Sequence, residues 1–137
     1  MKRDFYIGDQ RVLIHRASTE THGSSAIIEL HHPNNFSAPL LYHRYEIEHF
    51  YVLEGEYSFT IGQTEKRVST GELVTTTVNT AFRFTALGAE KNRLLVFFTP
   101  GGVEKYYELM SYISEDDPDG AEKRAKIENK FGIVIAD

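Results

Sequence analysis

Short apolar runs alternate with turn residues from the N-terminus to about residue 100. The runs are rich in β-branched and aromatic residues and show partial period-2 alternation, which is typical of β-strands. They lie at 11–15, 25–30, 40–45, 49–54, 57–61, 72–77, 81–85 and 93–98. Because they recur too closely for crossover helices between parallel neighbours, the pattern predicts an antiparallel all-β sandwich or barrel.

The hydrophobic pattern changes after Gly102. Apolar residues now recur at the spacing of one helix face. They are Val103, Tyr106, Tyr107, Met110 and Ile113. An acidic, turn-forming stretch at 114–120 follows, and the next segment predicts a second helix that ends at Gly132. Residues 132–136, GIVIA, are interpreted as a last strand or a docked tail.

The length of 137 residues fits one domain with a core of its own. We see no internal repeat, low-complexity segment or linker that would divide the chain. The sequence therefore predicts a single domain over 1–137, with a barrel over about 1–100 and a helical extension over about 101–137.

Charge and composition exclude several classes of function. The net charge is −5 with no run of lysines or arginines, so a nucleic-acid partner is not expected. The chain has no cysteine, which excludes thiol chemistry and thiolate metal sites. No stretch has the apolar length of a secretory signal or a membrane span. We expect a soluble, cytoplasmic protein with no membrane partner.

Residues 39–59, PLLYHRYEIEHFYVLEGEYSF, resemble the first conserved motif of the cupin superfamily. That motif has two His separated by one residue, then a Glu, and a Gly about six residues further on. Gly55 and the strand before it match the motif well. Counting back from Gly55 places Glu48 at the Glu position, His43 at the second His and Leu41 where the first His would be.

Residues 71–88, GELVTTTVNTAFRFTALG, are similar to the second cupin motif, in which a His precedes an Ala-Phe pair. That His position falls on Thr80. Residues 94–110 resemble the end of the barrel in small bacterial cupins grouped with quercetin dioxygenase-like proteins, which also end in two helices and a short tail. The resemblance implies a double-stranded β-helix, or jelly-roll barrel, with a C-terminal pair of helices.

Cupins hold a divalent metal inside the barrel through three His and one Glu. By the resemblance, this chain keeps His43 and Glu48 and has Leu41 and Thr80 at the other two ligand positions. Two donors bind a transition metal weakly, so we expect no tightly held metal and no other cofactor. A metal-dependent, dioxygenase-like cupin with a rebuilt site is an alternative. Its missing donors would come from Tyr45, His31 or His32.

A His and a carboxylate can also act without a metal. An imidazole exchanges protons near neutral pH, and a neighbouring carboxylate fixes its tautomer. We therefore expect His43 and Glu48 to catalyse proton transfer on a small carbonyl or aromatic molecule, as an isomerase, cyclase or lyase does. Tyr45 or Tyr51 would supply a further hydrogen-bond donor. The alternatives are a non-catalytic ligand-binding module and a pair that is simply satisfied in the core.

The remaining site candidates are the residues expected to line the barrel cavity. They are Leu41, Phe50, Tyr51, Thr80, Phe82 and Phe84. Leu and Thr in place of two imidazoles make a drier cavity, which favours an apolar or aromatic ligand. Of the adjacent pair His31 and His32, at most one can face inward on a strand. The resemblance and the hazard of open sheet edges together imply a homodimer.

Overall fold

The computed structural model describes residues 1–136 and contains eleven strands, two α-helices and a short 3₁₀-helix (Ser18–Glu20) in this part of the chain. The first strands are β1 (Asp4–Ile7), β2 (Gln10–Arg16), β3 (Ala26–His32), β4 (Leu41–His43), β5 (Ile47–Glu54) and β6 (Glu56–Ile61). Then follow β7 (Thr64–Ser69), β8 (Leu73–Thr76), β9 (Phe82–Ala86) and β10 (Asn92–Thr99). The chain continues with α1 (Glu104–Ser111), α2 (Gly120–Phe131) and β11 (Ile133–Ile135).

The strands form two antiparallel sheets that face each other. One has six strands in the order β1-β2-β3-β10-β5-β8, and the other has five in the order β11-β4-β9-β6-β7. This arrangement confirms the predicted all-β jelly-roll barrel with two C-terminal helices. All eight apolar runs of the sequence coincide with strands, because each supplies a row of side chains to the space between the sheets.

Strand β5 shows how the alternation fills the core. Glu48, Phe50 and Val52 point between the sheets and are buried, whereas Tyr51 lies on the outer face. On β10 the same alternation buries every second residue from Asn92 to Phe98. The core is largely apolar and contains many aromatic rings, including an interlocked group of Phe50, Phe59 and Phe84.

Two strands carry too weak a pattern to have been predicted. Strand β7, TEKRVS, has a single buried residue, Val68, and pairs only with β6 at the edge of its sheet. Strand β1 likewise buries only Phe5 and forms the edge of the other sheet. Edge strands have one paired side and expose most of their side chains, so polar residues replace the alternation on which the prediction depended.

The C-terminal segment packs against the barrel as the apolar spacing indicated. Helix α2 ends at Gly132, whose φ of 70° gives the left-handed cap expected of that residue. The chain then pairs β11 with β4 in antiparallel register, with Ile133 opposite His43. Within residues 1–136, no helix is both long enough and apolar enough to cross a membrane.

We predict that Gly132→Ala destabilises the protein by about 1–2 kcal/mol, because the left-handed conformation disfavours a side chain. A Cβ at this position would also lie 2.5 Å from the Tyr45 ring, which would have to move. The matched control is Gly62→Ala, where φ is 59° but no atom lies within 4 Å of the new Cβ. Urea unfolding should show the larger loss for Gly132→Ala. An equal or smaller loss would contradict this account of the cap.

Candidate functional site

A small cavity, here called the inner chamber, lies between the two sheets and has a volume of about 100 Å³. Its walls are mainly apolar, and its charged side chains are His43 and Glu48. The lining residues are Gln10, Phe36, Ala38, Pro39, Leu41, His43, Glu48, Phe50, Phe82, Phe84, Tyr106, Tyr107 and Ile133.

His43 and Glu48 come from opposite sheets and meet in the chamber wall. His43 is the last residue of β4 in the five-stranded sheet, and Glu48 is the second residue of β5 in the six-stranded sheet. Nε2 of His43 lies 2.8 Å from Oε1 of Glu48, and the two side chains are only 4% and 1% exposed. Because the connection between β4 and β5 is short, His43 and Glu48 lie close together in sequence and meet as one buried pair.

A third charged residue, Glu46, completes this cluster. Its Oε1 lies 3.2 Å from Nδ1 of His43, so the imidazole is flanked by one carboxylate at each ring nitrogen. Burial alone would lower the pKa of His43, but the charges of Glu48 and Glu46 outweigh burial and raise the pKa to about 9. His43 is therefore an imidazolium at neutral pH.

Glu48 has an incompletely satisfied oxygen. Although Nε2 of His43 is close to Oε1 of Glu48, the N–H direction is poorly aligned, and no side chain or backbone group within residues 1–136 donates a well-formed hydrogen bond to this buried oxygen. An unpaired buried carboxylate oxygen is costly. This oxygen can accept a hydrogen bond or a proton from a molecule in the inner chamber.

Four of the predicted lining residues do border the inner chamber: Leu41, Phe50, Phe82 and Phe84. Leu41 pairs with Phe82 across the β4–β9 ladder, which brings the two cupin-like motifs together at one wall. Both side chains are apolar, so the electrostatic field of the ion pair is weakly screened on this side.

Three predicted site residues lie elsewhere, and the expectation is corrected for each. Tyr45 is 60% exposed, because β4 ends at His43 and the two-residue period does not extend to it. Tyr51 is 37% exposed on the outer face, since it is three positions from Glu48 and therefore on the other side of β5. Thr80 lies in the β8–β9 loop, where its Oγ1 is 3.0 Å from that of Thr77.

Sequence reasoning missed Glu46 and seven of the residues that line the inner chamber, three of them in the β3–β4 connection. Glu46 lies in the bend between two strands, where no periodicity indicates its direction. Gln10, Tyr106, Tyr107 and Ile133 reach the chamber from the first and last parts of the chain. The two tyrosines do belong to the apolar face predicted for the first helix. Tyr107 has its pKa raised by burial and by the nearby charge of Glu48.

The adjacent histidines of β3, His31 and His32, lie on opposite faces of the six-stranded sheet. His32 is buried, and its ring nitrogens contact Tyr57 and Gln10. His31 lies on the outer face, where it bonds to Glu29. Only one member of the pair faces inward, in agreement with the strand period. Neither contributes to the His43 cluster.

The residues of the chamber do not fit the divalent metal that the cupin resemblance implies. Each ring nitrogen of His43 already faces a carboxylate, so Glu46 and Glu48 lie on opposite sides of the ring and do not converge on one point. Leu41 and the displaced Thr80 add no donor in the chamber. Within residues 1–136, no group of three or more His, Cys, Asp or Glu side chains is arranged to hold a metal ion.

We predict that His43 makes stability depend on pH in a defined direction. Its pKa rises from about 6.5 in an unfolded chain to about 9 in the folded protein. The stabilisation is therefore fully present below about pH 6.5 and is lost as the pH rises through about 9. Urea unfolding between pH 6 and pH 9.5 should show a loss of at most about 3 kcal/mol from this residue.

His43→Asn should remove that component of the pH dependence, and His49→Asn, outside the inner chamber, should retain it. An NMR titration of the imidazoles provides an independent check. A His43 ring that titrates below pH 7 would show that the two carboxylates do not control it.

Comparison with known proteins now places this geometry in a family. The family model described as Cupin domain matches residues 28–98, more than half of the chain. Comparison with curated proteins gave no significant sequence match.

Solved structures share the same barrel at low sequence identity. The structure of KdgF from Halomonas sp. has a TM-score of 0.65 and 13% identity, over 72% of this chain and 84% of that one. Ectoine synthase from P. lautus has a TM-score of 0.65 and 16% identity, over 85% and 88%. A sugar phosphate isomerase of the cupin superfamily from Silicibacter pomeroyi has a TM-score of 0.58 and 15% identity, over 68% and 60%. Together with the matched family model, this architecture shows that the chain belongs to the cupin family.

Proposed function

We propose that this cupin is a metal-independent enzyme that acts on a small, carbonyl-containing or aromatic molecule by proton transfer, as an isomerase, cyclase or lyase does. The observation that carries the proposal is the buried His43–Glu48 pair in the wall of an apolar chamber. The metal ligands implied by the cupin resemblance are incomplete here, which supports a reaction that uses the side chains themselves.

The two residues are suited to opposite halves of a proton transfer. Glu48 offers a carboxylate oxygen that lacks an aligned donor, and it acts as the base that removes a proton next to a carbonyl group. His43 is protonated at neutral pH, and its Nε2–H, which is not aligned with Glu48, donates a proton to the developing enolate oxygen. In an isomerisation, Glu48 returns its proton to a different carbon and His43 recovers a proton from oxygen as the carbonyl group re-forms. In an elimination, the carbonyl group re-forms in the same way, and the leaving group departs with the bonding electron pair and takes up the proton from Glu48.

The dimensions of the inner chamber restrict what reacts there. An apolar cavity of about 150 Å³ holds a benzene ring, and the inner chamber has about 100 Å³. The reacting group is therefore compact. A second cavity of about 430 Å³, here called the outer chamber, shares the residues Gln10, Phe36, Pro39, Tyr106 and Tyr107 with the inner chamber. A larger substrate would place its remaining atoms in the outer chamber.

Two of the neighbouring structures are consistent with non-redox chemistry in such a barrel. One is named a sugar phosphate isomerase and another an ectoine synthase. At 15–16% identity they share the fold alone with this chain. They support the reaction class as one that the cupin barrel can host, whereas the assignment to this chain depends on His43 and Glu48.

We predict that the protein accelerates exchange of carbon-bound hydrogen with D₂O in a panel of small ketones, aldehydes and hydroxy acids, measured by proton NMR. Removal of the base or the acid in Glu48→Gln or His43→Asn should lower the rate by roughly 100-fold or more, as expected for acid–base catalysis. The exposed control Glu65→Gln should leave the rate unchanged. The protein is first treated with a chelator.

Three results would contradict this proposal. Ligand binding without exchange would favour the non-catalytic binding module. Exchange that needs a divalent metal restored after chelation would favour the metal-dependent alternative. Exchange that survives both substitutions would place the chemistry elsewhere in the molecule.

We propose in addition that the chain forms a homodimer through the outer face of the six-stranded sheet. Apolar side chains cluster on this face around a concave surface that includes Ile27, Leu53, Leu95 and Phe97. Beside them, Glu29 binds His15, His31 and Arg93. A twofold interface brings the same face of two copies together, and a face with apolar residues and both signs of charge offers burial and opposite charges for that pairing.

We predict that Leu95→Lys converts the dimer to a monomer in analytical ultracentrifugation, because it places a charge among these apolar side chains. Thr60→Lys, on the outer face of the five-stranded sheet, is the matched control and should remain dimeric. A wild-type protein that sediments as a monomer at concentrations near 100 μM, or a dimer that persists in Leu95→Lys, would rule out this interface.

A further inference from the structure

Two linked hydrogen bonds, one buried and one partly buried, run from the core to the edge of the inner chamber. The Tyr57 hydroxyl lies 2.7 Å from Nδ1 of His32, and Nε2 of His32 lies 2.8 Å from Oε1 of Gln10. Tyr57 is fully buried and His32 is 4% exposed. These residues come from β6, β3 and the start of β2, so the hydrogen bonds connect the two sheets.

The direction of donation along these hydrogen bonds follows from Tyr57. Burial raises the pKa of the Tyr57 hydroxyl, so it keeps its proton. Within residues 1–136, the nitrogen of His32 is the hydroxyl's one hydrogen-bond partner. Since a buried O–H must donate, Tyr57 donates to Nδ1 of His32. Nδ1 therefore carries no proton of its own.

The protonation of His32 then fixes the orientation of Gln10. Burial lowers the pKa of His32 to about 3, so the ring is neutral and carries one proton. With Nδ1 acting as an acceptor, that proton is on Nε2 and is donated to the Gln10 carbonyl oxygen. If the Gln10 amide flipped, its NH₂ group would face the Nε2–H of His32, and two donors would meet without an acceptor.

The other end of the Gln10 amide is free to bind a ligand. Its NH₂ group donates to no acceptor in the part of the chain described by the structure, and it is not enclosed by protein atoms. Gln10 borders both the inner chamber and the outer chamber. A donor in a fixed orientation thus lies where a molecule would pass from one chamber to the other.

We propose that Gln10 binds a hydrogen-bond acceptor of the substrate, such as a carbonyl oxygen, at the junction of the two chambers. The identification of that molecule as a substrate rests on the proposed function of His43 and Glu48. The fixed amide selects molecules with an accessible acceptor over those that carry only donors. It also places the carbonyl-bearing end of the molecule on the Gln10 side of the chamber.

The first test concerns the direction of donation along these hydrogen bonds and needs no ligand. Nitrogen-detected NMR of the histidine rings at pH 7 should show His32 as the neutral form with its proton on Nε2. A neutral ring with its proton on Nδ1 would make Nε2 an acceptor, reverse the Gln10 amide and overturn the inference.

The second test uses acetone as the probe. Titration of the wild type should shift the Gln10 side-chain NH₂ signals in a proton–nitrogen correlation spectrum. Gln10→Met keeps the length of the side chain but removes the donor, and it should weaken acetone binding roughly five-fold, the effect of one hydrogen bond. Gln63→Met, in the turn between β6 and β7, is the matched control and should bind acetone as the wild type does.

Isopropylammonium serves as the comparison ligand because it has the same carbon skeleton and carries only donors. Its affinity should be no weaker in Gln10→Met than in the wild type. Unchanged acetone affinity in Gln10→Met, or no shift of the Gln10 signals, would overturn the inference. If acetone binding depends on Gln10 but no deuterium exchange occurs, recognition by Gln10 stands and the proton-transfer proposal fails. If deuterium exchange occurs and Gln10→Met does not change the acetone affinity, the proton-transfer proposal stands and recognition by Gln10 fails.

Discussion

The placement of His43 between two carboxylates is the constraint on which the site depends. One imidazolium faces Glu46 at Nδ1 and Glu48 at Nε2, and all three side chains are buried. Removing such charges from water costs several kcal/mol per ion, and replacing a buried ion pair by apolar residues is often neutral or stabilising. Stability alone therefore explains this cluster poorly. Its position in the wall of a cavity, with one carboxylate oxygen lacking an aligned donor, supports a chemical role.

The C-terminal segment is part of this site. Helix α1 supplies Tyr106 and Tyr107 to the chamber wall, and β11 places Ile133 beside His43 through its pairing with β4. The left-handed turn at Gly132 allows the chain to pass from α2 directly into that strand. The extension that the hydrophobic pattern separates from the barrel thus closes the chamber and lowers the dielectric constant around the ion pair.

Much of the fold could be predicted from sequence because buried positions recur with the two-residue period of the strands. All eight apolar runs, the apolar face of α1 and the end of α2 at Gly132 follow from local rules. The edge strands β1 and β7 were not predicted by those rules, because most of their side chains are exposed. The site was harder to predict. Tyr45 and Thr80 lie where strands have ended, so neither the strand period nor counting along a motif gives their direction.

The most informative failures are Glu46 and Gln10, which no local pattern marks as functional. Glu46 approaches His43 because the chain turns between β4 and β5, and the side chain of Gln10 is held by a hydrogen bond from His32 on the neighbouring strand β3. The tertiary structure around these side chains, rather than a local sequence pattern, determines the protonation of one ring and the orientation of one amide. The chamber therefore combines a cation at His43, an acceptor at Glu48 and a fixed donor at Gln10. In the proposed function, the two donors polarise a small carbonyl compound in an apolar cavity, and Glu48 accepts the proton that is removed.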